Sequence, residues 1–210
     1  MSKKASVLFF PGKPLDDVVL NWLGEPGEEL DAYAQAFHEA ARKLFQNFGE
    51  LEVPPSLQAL PIVFLYRHAF ELYLKATILA GDKILQFKGE PPVSRDCVFR
   101  THRLGDLFSD LDRVFKVVGW GWDCGAAHCR TREQFMAIVN EFDMLDPKAS
   151  NFRYPVDTKG QGALPSVFSF DLAVFCRRLD PILEALDGGV TGLDEEFQAM
   201  AEAAANMRES

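Results

Sequence analysis

The sequence predicts an all-α protein, a bundle of five to seven helices joined by long irregular loops. Apolar residues recur at helical intervals through most of the chain, and clusters of Pro and Gly separate the periodic segments. Hydrophobic residues make up 48% and charged residues 25% of the 210 positions, which is typical of a globular protein, and 18 Phe predict an aromatic-rich core. A chain of this length favours one domain with appended segments.

We expect an N-terminal segment over 1–27, the helical bundle over 28–189 and an acidic C-terminal helix over 190–210. Within the first segment, 15–23 predicts a small helix that ends in the Gly-Glu-Pro-Gly sequence at 24–27.

The next two helices are predicted over 28 to about 48 and over 56–80. Ser56 follows two prolines and is suited to begin the second, which we expect to stop at Gly81-Asp82. The segment 83–101 then predicts a loop, with room for a short hairpin. The inward stripe of the first helix consists of Leu30, Tyr33, Phe37, Ala41, Leu44 and Phe48.

Thr101 is predicted to cap a helix that begins at Leu104, and Gly188-Gly189 to close the helix before the acidic tail. The elements between are a helix over 104–118, a turn over 119–122, a helix over 131 to about 145 with Phe135, Ile138, Phe142 and Leu145 inward, an irregular segment over 147–165, a helix from Ser169 or Asp171 through Leu186, and a last helix over 194 to about 207.

The helix over 56–80 carries a charged stripe although it is apolar on almost every side. His68, Glu71 and Lys75 follow one another at i, i+3 and i+7, and Arg67 and Glu71 form an i,i+4 pair, as do Glu71 and Lys75. A helix with so little polar surface is central to the core, so its charges must be answered by something. One alternative is an internal salt-bridge ladder beside a hydrogen-bonded core histidine. The other is a polar pocket or dimer cleft that receives phosphate or an RNA backbone.

The chain carries a net charge of −9, so a nucleic acid could be bound only at a local basic surface. Residues 75–103 offer one, although a mixed solvated loop is the other interpretation. This segment contains six cationic and three anionic residues. The cations are Lys75, Lys83, Lys88, Arg95, Arg100 and Arg103, and the anions are Asp82, Glu90 and Asp96.

Three segments together carry a family resemblance: RHAFELYLKA in the charged helix, THRLGDLF downstream, and SNFRYPVD before the last long helix. Over roughly 55–186 the chain resembles uncharacterised prokaryotic members of the HEPN superfamily (higher eukaryotes and prokaryotes nucleotide-binding). The resemblance implies an α-helical bundle that dimerises, and in many members a metal-independent ribonuclease of toxin–antitoxin or phage-defence systems. It also implies an Arg-x(4–6)-His motif, which Arg95-Asp96 and His102 match, although Arg95 is expected in a loop rather than in a helix.

Cleavage of RNA needs a proton acceptor or donor for the 2′-hydroxyl and a cation for the phosphorane charge. His102 and His68 are the candidates for the first role, and for the second they are Arg153, Arg67, Lys75 and Arg95.

The irregular segment contributes three candidate binding residues. Arg153 lies close to a rigid Pro and can clamp a phosphate, Tyr154 can stack on a base, and Asp157 follows in the same motif. Alternatively, Arg153 pairs with Glu141 or Asp143 and pins the loop.

No metal and no cofactor are expected. Cys124, His128 and Cys129 do not match a common zinc motif, four irregularly spaced cysteines favour free thiols, and the sequence lacks the common phosphate-loop, dinucleotide and hydrolase motifs. The apolar run at 7–10 is too short for a secretory signal and no stretch is long enough for a membrane helix, so we expect a cytoplasmic protein without a membrane partner.

Two hypotheses follow from the sequence. The first is an RNA-directed HEPN-like protein, a ribonuclease or defence component, that acts as a homodimer. The second is a non-catalytic helical module that binds a nucleotide or a protein partner and in which the polar residues are structural.

Overall fold

The computed structural model describes residues 29–157, 159–164 and 169–209, with side chains to 207. These ranges contain six α-helices and no β-strand, which confirms the predicted all-α bundle. The predicted helix over 15–23 lies outside the described residues. The helices are α1 (Leu30–Gln46), α2 (Pro55–Phe87), α3 (Arg95–Arg100), α4 (Leu104–Val118), α5 (Arg132–Leu145) and α6 (Leu172–Glu209).

Helix α2 is the centre of the bundle. From Ile62 to Leu85 nearly every side chain is buried, as expected for a helix that is apolar all round. Helices α1, α4 and α6 pack directly against it, and α3 touches it near its C-terminal half. Pro61 lies inside the second turn and is accommodated without ending the helix.

Two predicted helix stops are wrong. Helix α2 continues through Gly81-Asp82 to Phe87, and α6 continues through Gly188-Gly189, so the acidic tail extends α6 and is not a separate helix. Gly81 is instead a place of close approach: a Cβ there would overlap the side chain of Val114 in α4. Gly192 likewise allows a close approach, here of Trp120, whose ring would lie 3.1 Å from an added Cβ.

The predicted loop over 83–101 is also wrong, because it contains the last turn of α2 and all of α3. Ser94 caps α3 by accepting a hydrogen bond from the Cys97 N–H, and Arg95 is the first residue of that helix. Thr101 ends α3 rather than capping α4. The first N–H groups of α4 are capped from another helix: Leu104 and Gly105 donate to the carboxylate of Asp143 in α5 over 2.9 and 2.8 Å.

The remaining boundaries agree closely with the prediction. Helix α4 has the predicted bounds, and Thr131 begins α5 with a reciprocal capping box to Gln134. The inward stripe of α1 is only partly correct, because Tyr33 and Leu44 are exposed while Ala34, His38 and Ala41 are buried.

Candidate functional site

The charged stripe of α2 is an ion-pair ladder inside the protein. Arg67 is fully buried, and Glu71 and Lys75 are nearly so. The Nη1 group of Arg67 donates to Oε2 of Glu71, and Nζ of Lys75 donates to Oε1 of the same carboxylate over 2.8 Å. Lys75 also donates to the carbonyl of Phe99 at the end of α3 over 3.2 Å. The internal-ladder interpretation therefore describes these three residues.

Asp146, which follows α5 directly, supplies a second buried carboxylate to the ladder. Its Oδ2 atom lies 3.5 Å from Nε of Arg67, and both side chains are fully buried. Among the described residues neither of these two atoms has a hydrogen bond, so the contact is electrostatic. The Oδ1 atom of Asp146 accepts hydrogen bonds from the N–H groups of Ser150 and Asn151 over 2.6 and 2.8 Å. Because Asp146 also contacts Arg67, it links the loop that follows α5 to α2. Sequence reasoning did not identify this residue.

His102 connects the ladder to the surface. Its backbone carbonyl accepts a hydrogen bond from Nη2 of Arg67, and its ring Nδ1 lies 3.0 Å from Oε1 of Glu71. The His102 side chain is 57% exposed, whereas that of Glu71 is 3% exposed. Two buried charged side chains therefore hold His102: Arg67 binds its backbone carbonyl and Glu71 binds its exposed ring.

The protonation state of Glu71 decides which imidazole nitrogen carries the proton. Burial acts to raise the pKa of Glu71, but the hydrogen bonds and positive charges of Lys75 and Arg67 outweigh burial and keep this pKa below its usual value. Glu71 is therefore a carboxylate at neutral pH and can only accept. Nδ1 of His102 must then donate, so Nε2 is the nitrogen of this ring that can exchange a proton with a substrate.

His68 lies in an aromatic pocket on the same side of α2. Its ring packs edge-on to Phe37 at 4.6 Å and stacks on Phe64 at 5.7 Å between centroids. Burial lowers the pKa of His68, and the nearby positive charges, including that of Arg153, lower it further against the opposing effect of Glu71. His68 is therefore a neutral, half-buried ring at physiological pH.

Arg153 rests on aromatic rings. Its guanidinium carbon lies 5.6 Å from the ring centroid of Phe64 and 5.4 Å from that of Tyr154, and both Arg153 and Tyr154 are exposed. The predicted pairing of Arg153 with Glu141 or Asp143 is wrong, because Arg153 forms an ion pair with neither of these described residues, and the Asp143 carboxylate instead caps α4 and lies 3.5 Å from Arg103.

The two α2 residues that Arg153 and His102 contact, Phe64 and Glu71, lie on one face of α2. Phe64 and Glu71 are seven residues apart, which is two helical turns or about 10 Å along the axis, with His68 between them. The structure thus brings His102, His68, Arg153 and Tyr154 to the same side of the central helix.

Two predicted site residues are less directly connected to this face. Arg95 starts α3, and its guanidinium lies 5.7 Å from the Phe99 ring centroid, one turn before the carbonyl that receives Lys75. Asp157 organises its own loop: Oδ1 accepts from the N–H groups of Lys159 and Gln161 over 2.8 and 2.9 Å.

A second polar cluster, which the sequence did not predict, is centred on the partly buried Asp180. Oδ1 of Asp180 in α6 lies 2.8 Å from Nε2 of His38 in α1 and accepts from the Tyr66 hydroxyl of α2 over 2.7 Å. Burial acts to raise the pKa of Asp180, but these two hydrogen bonds and nearby positive charge hold it below its usual value. The helical spacing of His38 with Ala34 and Ala41, all three buried, is the signal from which this inward histidine could have been predicted. The cluster joins three helices.

The described residues contain no group of three or more His, Cys, Asp and Glu side chains placed to hold a metal ion. None of the helices in the described ranges has the length and apolar character needed to cross a membrane. Comparison with models of known families, with curated proteins and with solved structures found no match to this chain.

Proposed function

We propose that this chain is a HEPN-like helical protein that acts on RNA as a metal-independent ribonuclease, with His102 as its acid–base group. The proposal is supported above all by one observation: Nδ1 of an exposed imidazole is held 3.0 Å from a buried carboxylate, and Nε2 is left free. Orientation of a histidine by a carboxylate is the usual way to prepare this side chain for proton transfer.

The reaction uses a group that RNA itself supplies. Nε2 of His102 takes the proton of a 2′-hydroxyl, the 2′-oxygen attacks the adjacent phosphorus, and the bond from phosphorus to the 5′-oxygen breaks. The leaving 5′-oxygen takes a proton from water, His102 returns its proton to solvent, and the products are a 2′,3′-cyclic phosphate end and a 5′-hydroxyl end. Arg67, Glu71 and Lys75 act here as positioning residues, because they are buried and bound to one another.

The exposed groups on this side of α2 supply the contacts to RNA. Arg103 follows His102 directly in the chain and is exposed, so we assign it to a phosphate near the His102 ring, which would compete with Asp143, 3.5 Å from this guanidinium. Arg153 contacts α2 at Phe64, two turns before Glu71, and offers a further cation there. The neighbouring Tyr154 offers a ring for base stacking. The net charge of −9 opposes RNA binding, so binding depends on this local positive surface and should weaken with salt according to the number of phosphates that the surface neutralises.

The proposal includes a homodimer, as the resemblance implies. The mass of the particle in solution tests the homodimer separately by light scattering.

A second candidate function is a non-catalytic nucleotide- or protein-binding module. This candidate is favoured because Arg67 and Lys75 already bind Glu71 and backbone carbonyls. Neither cation of the stripe is therefore free to bind a phosphate.

The deciding experiment incubates the purified chain with mixed RNA, with and without a chelator. We expect chelator-resistant cleavage with 2′,3′-cyclic phosphate ends, reduced at least about 100-fold in His102→Ala. The matched control is His128→Ala, because His128 is a partly exposed histidine that hydrogen-bonds the Arg178 carbonyl and lies outside the stripe. Its cleavage rate should stay unchanged.

Equal cleavage by wild type and His102→Ala, or none by wild type, contradicts the ribonuclease proposal. Fluorescence anisotropy with labelled RNA and with nucleotides then tests the second candidate. Binding without cleavage supports that module.

A further inference from the structure

Two cysteines face each other in the connection between α4 and α5. The Sγ atoms of Cys124 and Cys129 are 3.3 Å apart and both thiols are free. A disulfide bond is about 2.05 Å long, so a movement of little more than 1 Å separates this pair from bonding distance. Neither residue belongs to the surface assigned to RNA, and this inference is independent of the proposed function.

The backbone holds the pair in this arrangement. The Cys124 N–H donates to the Cys129 carbonyl over 3.0 Å, and the Cys129 N–H donates to the Ala126 carbonyl over 2.9 Å. Gly125 takes a φ of +73°, which the turn requires and which glycine adopts without strain. Its N–H donates to the side chain of Asp123 over 2.9 Å. The two thiols are therefore presented by a closed turn and do not meet by chance rotation of a loose loop.

Both ends of the turn are anchored in the protein. Before it, the Trp122 ring packs on Phe115 and Phe135 at 4.7 and 5.1 Å between centroids. After it, Thr131 starts α5 with its capping box, and Nε2 of His128 lies 2.9 Å from the Arg178 carbonyl of α6. The turn that carries the pair is therefore held on both sides by contacts with the helices.

The hydrogen bond between the two thiols also favours reaction. The hydrogen bond to Cys124 lowers the pKa of Cys129 against the opposing effect of burial, and the same hydrogen bond together with burial raises the pKa of Cys124, so one thiolate shares the proton of the pair. A single thiolate is the species that attacks a disulfide.

We propose that Cys124 and Cys129 form a reversible intramolecular disulfide by exchange with a low-molecular-weight disulfide. Cys129 is fully buried while Cys124 is partly exposed, so the small disulfide reaches Cys124, which passes its proton to the Cys129 thiolate across their hydrogen bond before it attacks. The Cys124 thiolate attacks one sulfur of the small disulfide and releases one small thiolate. Cys129, after loss of its proton, then attacks Sγ of Cys124 and releases the second. The protein dithiol is oxidised, the small disulfide is reduced to two small thiols, and excess small thiol reverses both steps.

The other two cysteines are built-in controls. Cys97 lies exposed on α3 and Cys176 is buried in α6, and neither has a second cysteine beside it. We expect Cys97 to give only a mixed disulfide, and at higher concentrations of oxidant, because it lacks a partner at high effective concentration.

The test titrates the folded full chain with oxidised glutathione in a glutathione buffer, blocks the remaining thiols with an alkylating agent and digests with trypsin. Residues 117–130 form one tryptic peptide that contains both cysteines of the pair. We expect this peptide to lose two hydrogens and both alkylation sites at a ratio of oxidised to reduced glutathione at least about tenfold lower than modifies Cys97. Excess reduced glutathione should restore both sites.

Two variants identify the roles. Cys129→Ser should trap Cys124 as the mixed disulfide with glutathione, and Cys97→Ser should leave the transition of the 117–130 peptide unchanged. Persistent mixed disulfide on Cys124 in the wild type, or oxidation of the pair no earlier than that of Cys97, overturns the proposal. Measurement on the wild type alone therefore decides the question even if Cys129→Ser does not fold.

Discussion

Glu71, buried in α2, accepts a hydrogen bond over 3.0 Å from Nδ1 of His102, whose ring is mostly exposed. The same carboxylate is the partner of two buried cations, Arg67 and Lys75. It therefore balances charge inside the bundle and orients a ring at the surface, and these two roles are separable by mutation.

Glu71→Ala is expected to destabilise the protein by about 3–5 kcal/mol, because it leaves buried cations without their carboxylate. His102→Ala should cost about 1 kcal/mol or less, since it removes an exposed ring from the same carboxylate and leaves the buried pairs intact. Urea unfolding at neutral pH measures both. Similar losses of unfolding free energy in the two variants would contradict the ladder as described.

Asp180→Asn is expected to reduce stability by about 1–3 kcal/mol at neutral pH, because the carboxylate is shared by His38 and Tyr66. The pKa of Asp180 is lowered by folding, so its contribution is fully present above the unfolded pKa of about 4 and disappears as the pH falls through the lower folded value. The deficit of the variant should therefore shrink in acid, as urea unfolding at several pH values would show.

The matched control for Asp180 is Glu184→Gln. It removes the exposed pair with Arg42 between the same two helices, and should change stability by less than about 1 kcal/mol at any pH. A deficit of Asp180→Asn that is equal at neutral and acid pH would refute the role of the carboxylate.

Gly81→Ala is expected to cost about 1–3 kcal/mol, because the added Cβ would overlap Val114 where α4 crosses α2. A second substitution, Val114→Ala, should cost less in the Gly81→Ala background than in the wild type. Gly188→Ala is the control within a helix: no atom lies within 4 Å of its added Cβ, so it should stabilise the protein by about 1 kcal/mol. Thermal unfolding with both variants checks the sign, and stabilisation by Gly81→Ala would show that the helices do not touch there.

Asp143→Ala is expected to cost about 1–2 kcal/mol, because it removes the cap from the first N–H groups of α4. Asn140→Ala, at an exposed position of the same helix, should change stability by no more than about 0.5 kcal/mol. Hydrogen exchange at Leu104 and Gly105 should accelerate only in the first variant. Unchanged exchange at both amides would mean that α4 is capped by another group.

The glycines show why helix ends were harder to predict than helices. Gly119 ends α4 with a φ of +89°, as the predicted turn requires, but Gly81 and Gly188 lie inside helices. A glycine allows a left-handed end, and it also allows two helices to approach closely. Local sequence does not distinguish these uses, because the second depends on a neighbour such as Val114, which is 33 residues away in the chain.

The sequence by itself determined the all-α class, the position of α2 as the central helix and the i,i+4 spacing of Arg67, Glu71 and Lys75. These features follow from the helical period, which places i and i+4 side by side whatever surrounds them. The structure decided that these three residues form a buried ladder. Only the tertiary structure decided that Asp146 and His102 contact the charged stripe of α2 and that Asp143 caps α4. Those contacts join distant parts of the chain, as His102 and Glu71 do across 31 residues, and such pairs are set by the packing of whole helices.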